Sequence, residues 1–555
     1  MENFILSDDI LDLQNFSPTE LYSLCDFFID EFIKDQEFAD SFYVSELHLA
    51  TVRLNYVEFK KVIDKCKDVN VKEPLLQRTA LHLACLLPNL RCELDQLIRS
   101  MQEGNNRLRY FLRQENKDLR FVELLLQHKC DINAKDMYDR TPLYYLCDGV
   151  NYHDLRQQLR GFGDNFMNAV MRKVSKRRLA IMNLLLDNYA DIETKDINGC
   201  SLMHLVTCFD DDIQAKETAD LLIKHYINVN ATIQKGSAVT PLLMAIYRQR
   251  IPLIHLLIRY CANLTITDAE NHNCLHAAAY NLDKHTIIAL LKAGACACDV
   301  SVFGETPLHM MIRKENHLQN ISEIYKEIVK QLTSYGCDIN YKNVEGETVL
   351  FVAASRKDYD LVQICLNNGA DINITNNLGE TVLLHCISNN ISQSCALLMK
   401  HMKKLEIYGL HLNNENHLLL NTFESQYATY NNTFINECKK EIEKLKNINI
   451  VKSLTLYTIL SMSLHEIQKL KDYSLVMKNL QMRSNYCRKN FLEYYFLYEI
   501  FITRLKLWEK WCDEAFTSLN FIIGLQIPHK CMLNIFKYLE YRELCLIVQA
   551  RKLIL

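Results

Sequence analysis

A four-residue phrase recurs along the 555-residue chain, and its spacing constrains what the chain can build more than any other feature. Its fullest form is Thr306-Pro307-Leu308-His309, with near copies at Thr240-Pro241-Leu242-Leu243, Thr141-Pro142-Leu143-Tyr144 and Thr79-Ala80-Leu81-His82. Looser copies begin at Ser45, Ser201, Asn273, Thr348 and Thr381. Successive starts lie 34, 62, 60, 39, 33, 33, 42 and 33 residues apart. Threonine or serine before an apolar run caps a helix, proline is tolerated where the first turn needs no N–H, and leucine begins the buried face. Each phrase therefore predicts a helix start, and the 33-residue period predicts a unit that buries its apolar side only against the next copy.

A second signature falls late in each unit, as in VELLLQHKCDINAKDMYDRT (122–141), IMNLLLDNYADIETKDINGCS (182–201) and LVQICLNNGADINITNNLGET (361–381). Leucine-like residues close a second helix, a Gly, Asn or equivalent allows a left-handed C-cap, and Asp-Ile-Asn enters a turn. Together the signatures resemble the ankyrin repeat, a β-turn plus two antiparallel helices. The resemblance implies an all-α ankyrin-repeat solenoid over residues 40–410, of about nine repeats. Two long insertions follow the helices opening at Thr79 and Thr141; they either project from one face or conceal eroded repeats. The second, roughly 149–178, ends in the basic run Arg172-Lys-Val-Ser-Lys-Arg-Arg178, expected as a solvated helix face, with a nuclear-import or acidic-partner patch as the alternative.

A solenoid of this kind presents its turn tips to a partner. The phase places tips at Met137/Tyr138, Ile197/Asn198, Ala269/Glu270, Val302/Phe303, Val344/Glu345 and Asn377/Leu378. Met137, Tyr138 and Phe303 are apolar where solvated turns are normally polar, so the tips are the candidate target-binding residues. Packing of tip against tip is the competing reading.

Glycine (14) and proline (8) are scarce, together about 4% of the chain against roughly 12% on average. Paired helices need few breakers, and Gly199, Gly304, Gly346 and Gly379 before the phrase, with Gly294, Gly336 and Gly369 after the second helix, punctuate the repeats. Cysteines number 21, none in C-x-x-C spacing, and are expected as reduced apolar fillers. His272-x-Cys274-x-His276 looks like a metal set, yet His276 is the phrase histidine and Cys274 stands for the proline, so no metal or other cofactor is expected. P-loop, H-E-x-x-H and G-x-S-x-G motifs are absent, and no enzyme is expected. With a net charge of −4, no apolar run of membrane-spanning length and no secretory start, neither nucleic acid nor membrane is an expected partner. The expected compartment is the cytoplasm, the nucleus being the alternative raised by the basic run. Charge is uneven along the chain: residues 1–45 carry eleven acids against Lys34, and residues 437–490 carry eleven Lys/Arg against five acids. Residues 1–39 read as an acidic helical segment.

After about residue 410 the period stops while the composition stays helical. Cys438, Glu441, Leu445 and Lys446, the Leu454-Thr-Leu-Tyr457 piece and the terminal Ile-Pro segment resemble the PRANC domain over 425–555. That domain follows ankyrin arrays in poxvirus and parasitoid-wasp proteins. Residues 525–555 look like an abbreviated F-box. Ile527-Pro528 opens a helix with Met532, Ile535, Phe536 and Leu539 in one stripe, and Leu544 continues it. The resemblance implies that these residues bind a Skp-type adaptor of a cullin ubiquitin ligase, while the repeats hold an unidentified target protein, to counter host defence. The alternative is a scaffold that masks its target, as ankyrin inhibitors of Rel-type transcription factors do, without a ligase.

Overall fold

The computed structural model describes residues 45–52, 56–73, 76–86, 117–147, 164–209, 211–233, 238–313, 321–427, 432–451, 454–462 and 473–490, together with 498, 502, 506, 510 and 512–519. The acidic stretch 1–39, residues 87–116 of the first insertion and the F-box-like end 525–555, with Ile527, Pro528, Met532, Ile535, Phe536, Leu539 and Leu544, lie outside the described residues. The chain forms two units, 1–262 and 263–555.

In the first unit the helices come in pairs: α1 (Glu46–Val52) with α2 (Tyr56–Ile63), α3 (Ala80–Leu86) with α4 (Lys117–Gln127), α5 (Pro142–Cys147) with α6 (Asp164–Asp187), α7 (Leu202–Val206) with α8 (Asp212–Lys224), and α9 (Pro241–Tyr247) with α10 (Ile251–Arg259). The second unit adds α11 (Cys274–Tyr280) with α12 (Lys284–Lys292), α13 (Pro307–Met310) with α14 (Ile321–Ser334), α15 (Val349–Ser355) with α16 (Tyr359–Asn367), and α17 (Val382–Ser388) with α18 (Ser392–Ile407). First helices pack on first helices, as α3 on α5 and α11 on α13, and second on second, as α8 on α10 and α14 on α16. The phrase explains the starts. Thr240, Thr348 and Thr381 each accept the N–H three residues on, Asn273 accepts from Leu275 and His276, and Pro241 and Pro307 occupy the first helical turn. Second helices end in a left-handed residue: Gly294, Gly336 and Gly369 in the second unit, but Lys129, Tyr189, Tyr226 and Cys261 in the first. Glycine is thus dispensed with at positions where its freedom would have served.

The basic run is not a solvated patch. It lies in α6, one continuous helix of 24 residues, and although Arg172 and Lys176 are exposed, Ser175, Arg177 and Arg178 are buried. Ser175 and Arg178, three residues apart on one face, turn toward α8. The Arg178 guanidinium lies 4.6 Å from the Phe209 ring centre and donates to Thr218 Oγ1 at 2.8 Å, and Ser175 Oγ donates to Glu217 at 3.2 Å.

Beyond α18 follow α19 (Asn414–Tyr427), α20 (Asn432–Lys446), a two-stranded antiparallel ribbon of β1 (Asn449–Val451) and β2 (Leu454–Thr455), α21 (Leu456–Ser461) and α22 (Tyr473–Asn490). Their core is Phe434, Cys438, Ile442, Leu445, Ile450, Leu456, Ile459, Val476 and Leu480, and Tyr408 from the end of the last helix pair is part of it. Tyr457 Oη donates to the Tyr408 carbonyl at 2.8 Å, and Lys400 of α18 sits over the Phe434 ring. Among the described residues no helix is long and apolar enough to cross a membrane.

Candidate target-binding surface

Each tip is fixed by the residue before it. Asp136 Oδ1 accepts the N–H groups of Tyr138 and Arg140, and Asp196 those of Asn198 and Cys200; Asp268, Ser301, Asn343 and Asn376 repeat the pattern two and four residues on. This side-chain turn holds the two tip residues out. Tips are then tied to one another. Within the first unit Met137 N–H donates to the Leu76 carbonyl and Ile197 to Tyr138; within the second, Val302 donates to Glu270, Val344 to Phe303 and Asn377 to Glu345, all at 2.9–3.1 Å. In these bonds the first member of a pair donates backward, and Tyr138, Glu270, Phe303 and Glu345, the second members of their pairs, accept.

With the backbone satisfied, the side chains are left outside. Ile197, Val302, Phe303, Val344 and Leu378 are exposed, Leu378 at 82%, and Met137 is exposed at 37%; Asn198, Glu345, Ala269 and Glu270 are exposed too. Two tip residues are partly taken up by the fold. Tyr138 is half-buried, its ring lying 4.8 Å under the Arg140 guanidinium, and Asn377 Nδ2 donates to the Val344 carbonyl. Phe303 has Arg313 at 5.4 Å above its ring. The second unit thus brings Val302, Phe303, Val344 and Leu378 onto three consecutive tips.

The phrase histidines brace this row from inside. His82, His276 and His309 contact the carbonyls of Arg140, Glu305 and Glu347 through Nε2, at 3.1, 3.0 and 3.3 Å. His48 and His204 do the same to Arg78 and Val239. Each carbonyl belongs to the residue before the next phrase. Because the N–H of Thr79 and of Thr306 donates to Nδ1 of the following histidine, Nε2 carries the proton and donates, so the rings are neutral. Burial pushes His82, His276 and His309 down to about 4 from an ordinary 6.5. Tyr144 stands in for histidine and donates to Asp196 instead, at 2.9 Å. His272 faces Asp268 at 3.3 Å, and Cys298 Sγ donates to the Gly336 carbonyl. Among the described residues no three His, Cys, Asp or Glu groups gather to hold a metal. The histidine brace and the Asp/Asn/Ser before each tip had a signal in the sequence, the recurrence of one residue type at one phase, but their partners lie in the next repeat.

The family model for ankyrin repeats matches residues 318–408 in three copies. The chain is similar to palmitoyltransferase AKR1 of Debaryomyces hansenii, 31% identical over 192 residues, covering 33% of this chain and 22% of that protein. It is similar to two ankyrin repeat proteins of fowlpox virus: 26% identical over 250 residues (41% of this chain, 69% of the relative), and 22% over 348 residues (53% and 68%). The chain thus spans about a fifth of the palmitoyltransferase and just over two thirds of each viral protein. Repeating caps, braces and tips, and these likenesses, agree: the chain carries ankyrin repeats and is similar to ankyrin-repeat proteins of fowlpox virus.

Proposed function

We propose that the chain is a non-enzymatic substrate receptor: its ankyrin tips bind a target protein, and residues 525–555 recruit a Skp-type adaptor and cullin ubiquitin ligase. The observation that carries the binding half is the row of apolar side chains, Val302, Phe303, Val344 and Leu378, kept exposed on tips whose backbone is already hydrogen-bonded. Such rigid, unspent apolar groups lose little entropy on association and suit the centre of a protein interface. Support for the ligase half is the F-box-like pattern of Ile527, Pro528, Met532, Ile535, Phe536, Leu539 and Leu544 alone. Its contact would be a helix in a groove.

Affinity purification of the intact chain beside one ending at Gly524 tests both halves. The intact chain is expected to recover a target together with adaptor and cullin, and the shortened chain the same target alone. Recovery of the target without adaptor by the intact chain would replace this reading with a masking scaffold, and loss of both would remove it.

A further inference from the structure

Helix α22 carries apolar side chains on two opposite faces. One face, Val476, Met477, Leu480 and Cys487, is buried in the C-terminal core. Leu475, Met482 and Tyr486 are 47, 68 and 52% exposed, and with Lys478 and Lys489 they fall at i, i+7, i+11, i+3 and i+14. At about 100° per residue these five share one arc of roughly 80°, facing away from the core. Arg488 is exposed and Arg483 half-exposed, each outside this arc and next to the core-facing side. The helix, YSLVMKNLQMRSNYCRKN, contains no Asp or Glu, so its charge is one-sided.

We propose that this face of α22 docks a short amphipathic helix of a partner protein, one that carries Asp or Glu beside its own apolar stripe. The stripe runs for about 20 Å at 1.5 Å per residue, which matches four turns of a facing helix. Leu475, Met482 and Tyr486 supply the apolar seam, methionine adapting to the shape presented. Lys478 and Lys489 select an occupant of opposite charge and speed its encounter. Nucleic acid would use the cations and leave the seam unused. A lipid surface would need the helix sunk about 5–10 Å into the headgroup boundary, whereas α22 is fixed along its other side by the core.

The test is selection of phage-displayed helical 18-residue peptides on the intact chain, with counter-selection on a Lys478→Glu, Lys489→Glu variant whose folding is checked by circular dichroism. Both positions are exposed, so the variant is expected to fold. Retained peptides are expected to combine acids with apolar residues at i, i+3, i+4 and i+7, to bind the variant at least tenfold more weakly, and to lose several-fold on Met482→Ala. The proposal is overturned if no peptide prefers the intact chain, if the preferred peptides lack acids, or if Met482→Ala changes nothing. Co-sedimentation with phosphatidylcholine–phosphatidylserine vesicles that Lys478→Glu abolishes would assign the face to lipid and likewise overturn it. None of these readouts involves the Skp-type adaptor, so they stand apart from the ligase reading.

Discussion

His82, His276 and His309 each hold the next repeat through a proton on Nε2, and burial makes a second proton on the ring unfavourable. A histidine depressed by the fold contributes stability that is present above the unfolded value of 6.5 and lost as pH falls toward 4, because the unfolded chain takes the proton first. Each such ring is expected to withdraw up to about 3 kcal/mol over that window. Chemical denaturation at pH 7, 5.5 and 4.5 should show the decline, and His276→Gln should flatten it; a curve unchanged by that substitution would contradict the assignment. Glycine offers a second contrast at the same scale. Gly346 and Gly379 occupy equivalent tips with φ of 79° and 80°. A Cβ on Gly346 would lie 2.4 Å from Asn377 Oδ1 and 2.6 Å from Asn377 N, whereas one on Gly379 meets nothing within 4 Å. Gly379→Ala is therefore expected to cost about 1–2 kcal/mol from the left-handed backbone alone. Gly346→Ala should cost more and should shift the tip carrying Leu378, which thermal melts of the two variants would compare.

At the scale of the element, α6 shows how a run that reads as solvated becomes buried. Four of the seven residues in Arg172–Arg178 are buried, and Arg178 Nε and Nη1 have no hydrogen-bond partner. A buried guanidinium held by one hydroxyl and one ring face is a weak contributor to stability. Arg178→Met, of similar length and apolar, is expected to leave stability unchanged or raise it by about 1–3 kcal/mol. A clear fall in the denaturation midpoint would show that the Thr218 and Phe209 contacts outweigh the desolvation. The helix starts, by contrast, were legible in the sequence, because a cap is a local device: Thr240, Thr348 and Thr381 bond N–H groups only three residues away. For the same reason the tip pairs could be counted from the phase, although the turn-fixing Asp136, Asn343 and Asn376 were not picked out.

Across the whole molecule, the last helix pair and the C-terminal helices share a core, with Tyr408 buried among Phe434, Leu456 and Val476. A chain ended at Leu410 should lose this cover, melt at lower temperature and aggregate more readily than the full chain; an equal melting temperature would show that α17 and α18 stand without it. The sequence by itself determined that the chain is a stack of helix pairs, where each pair begins and which residues are the tips, since capping, left-handed turns and apolar periodicity act within a few residues. It also showed the two signs of charge. Only the tertiary structure decided that Arg177 and Arg178 face inward, that Tyr138 is half covered by Arg140, that the phrase histidines donate to the following repeat, and that α22 keeps Leu475 and Met482 outside. Those outcomes depend on which neighbour shields a group from water, and, Arg140 beside Tyr138 apart, those neighbours come from distant parts of the chain.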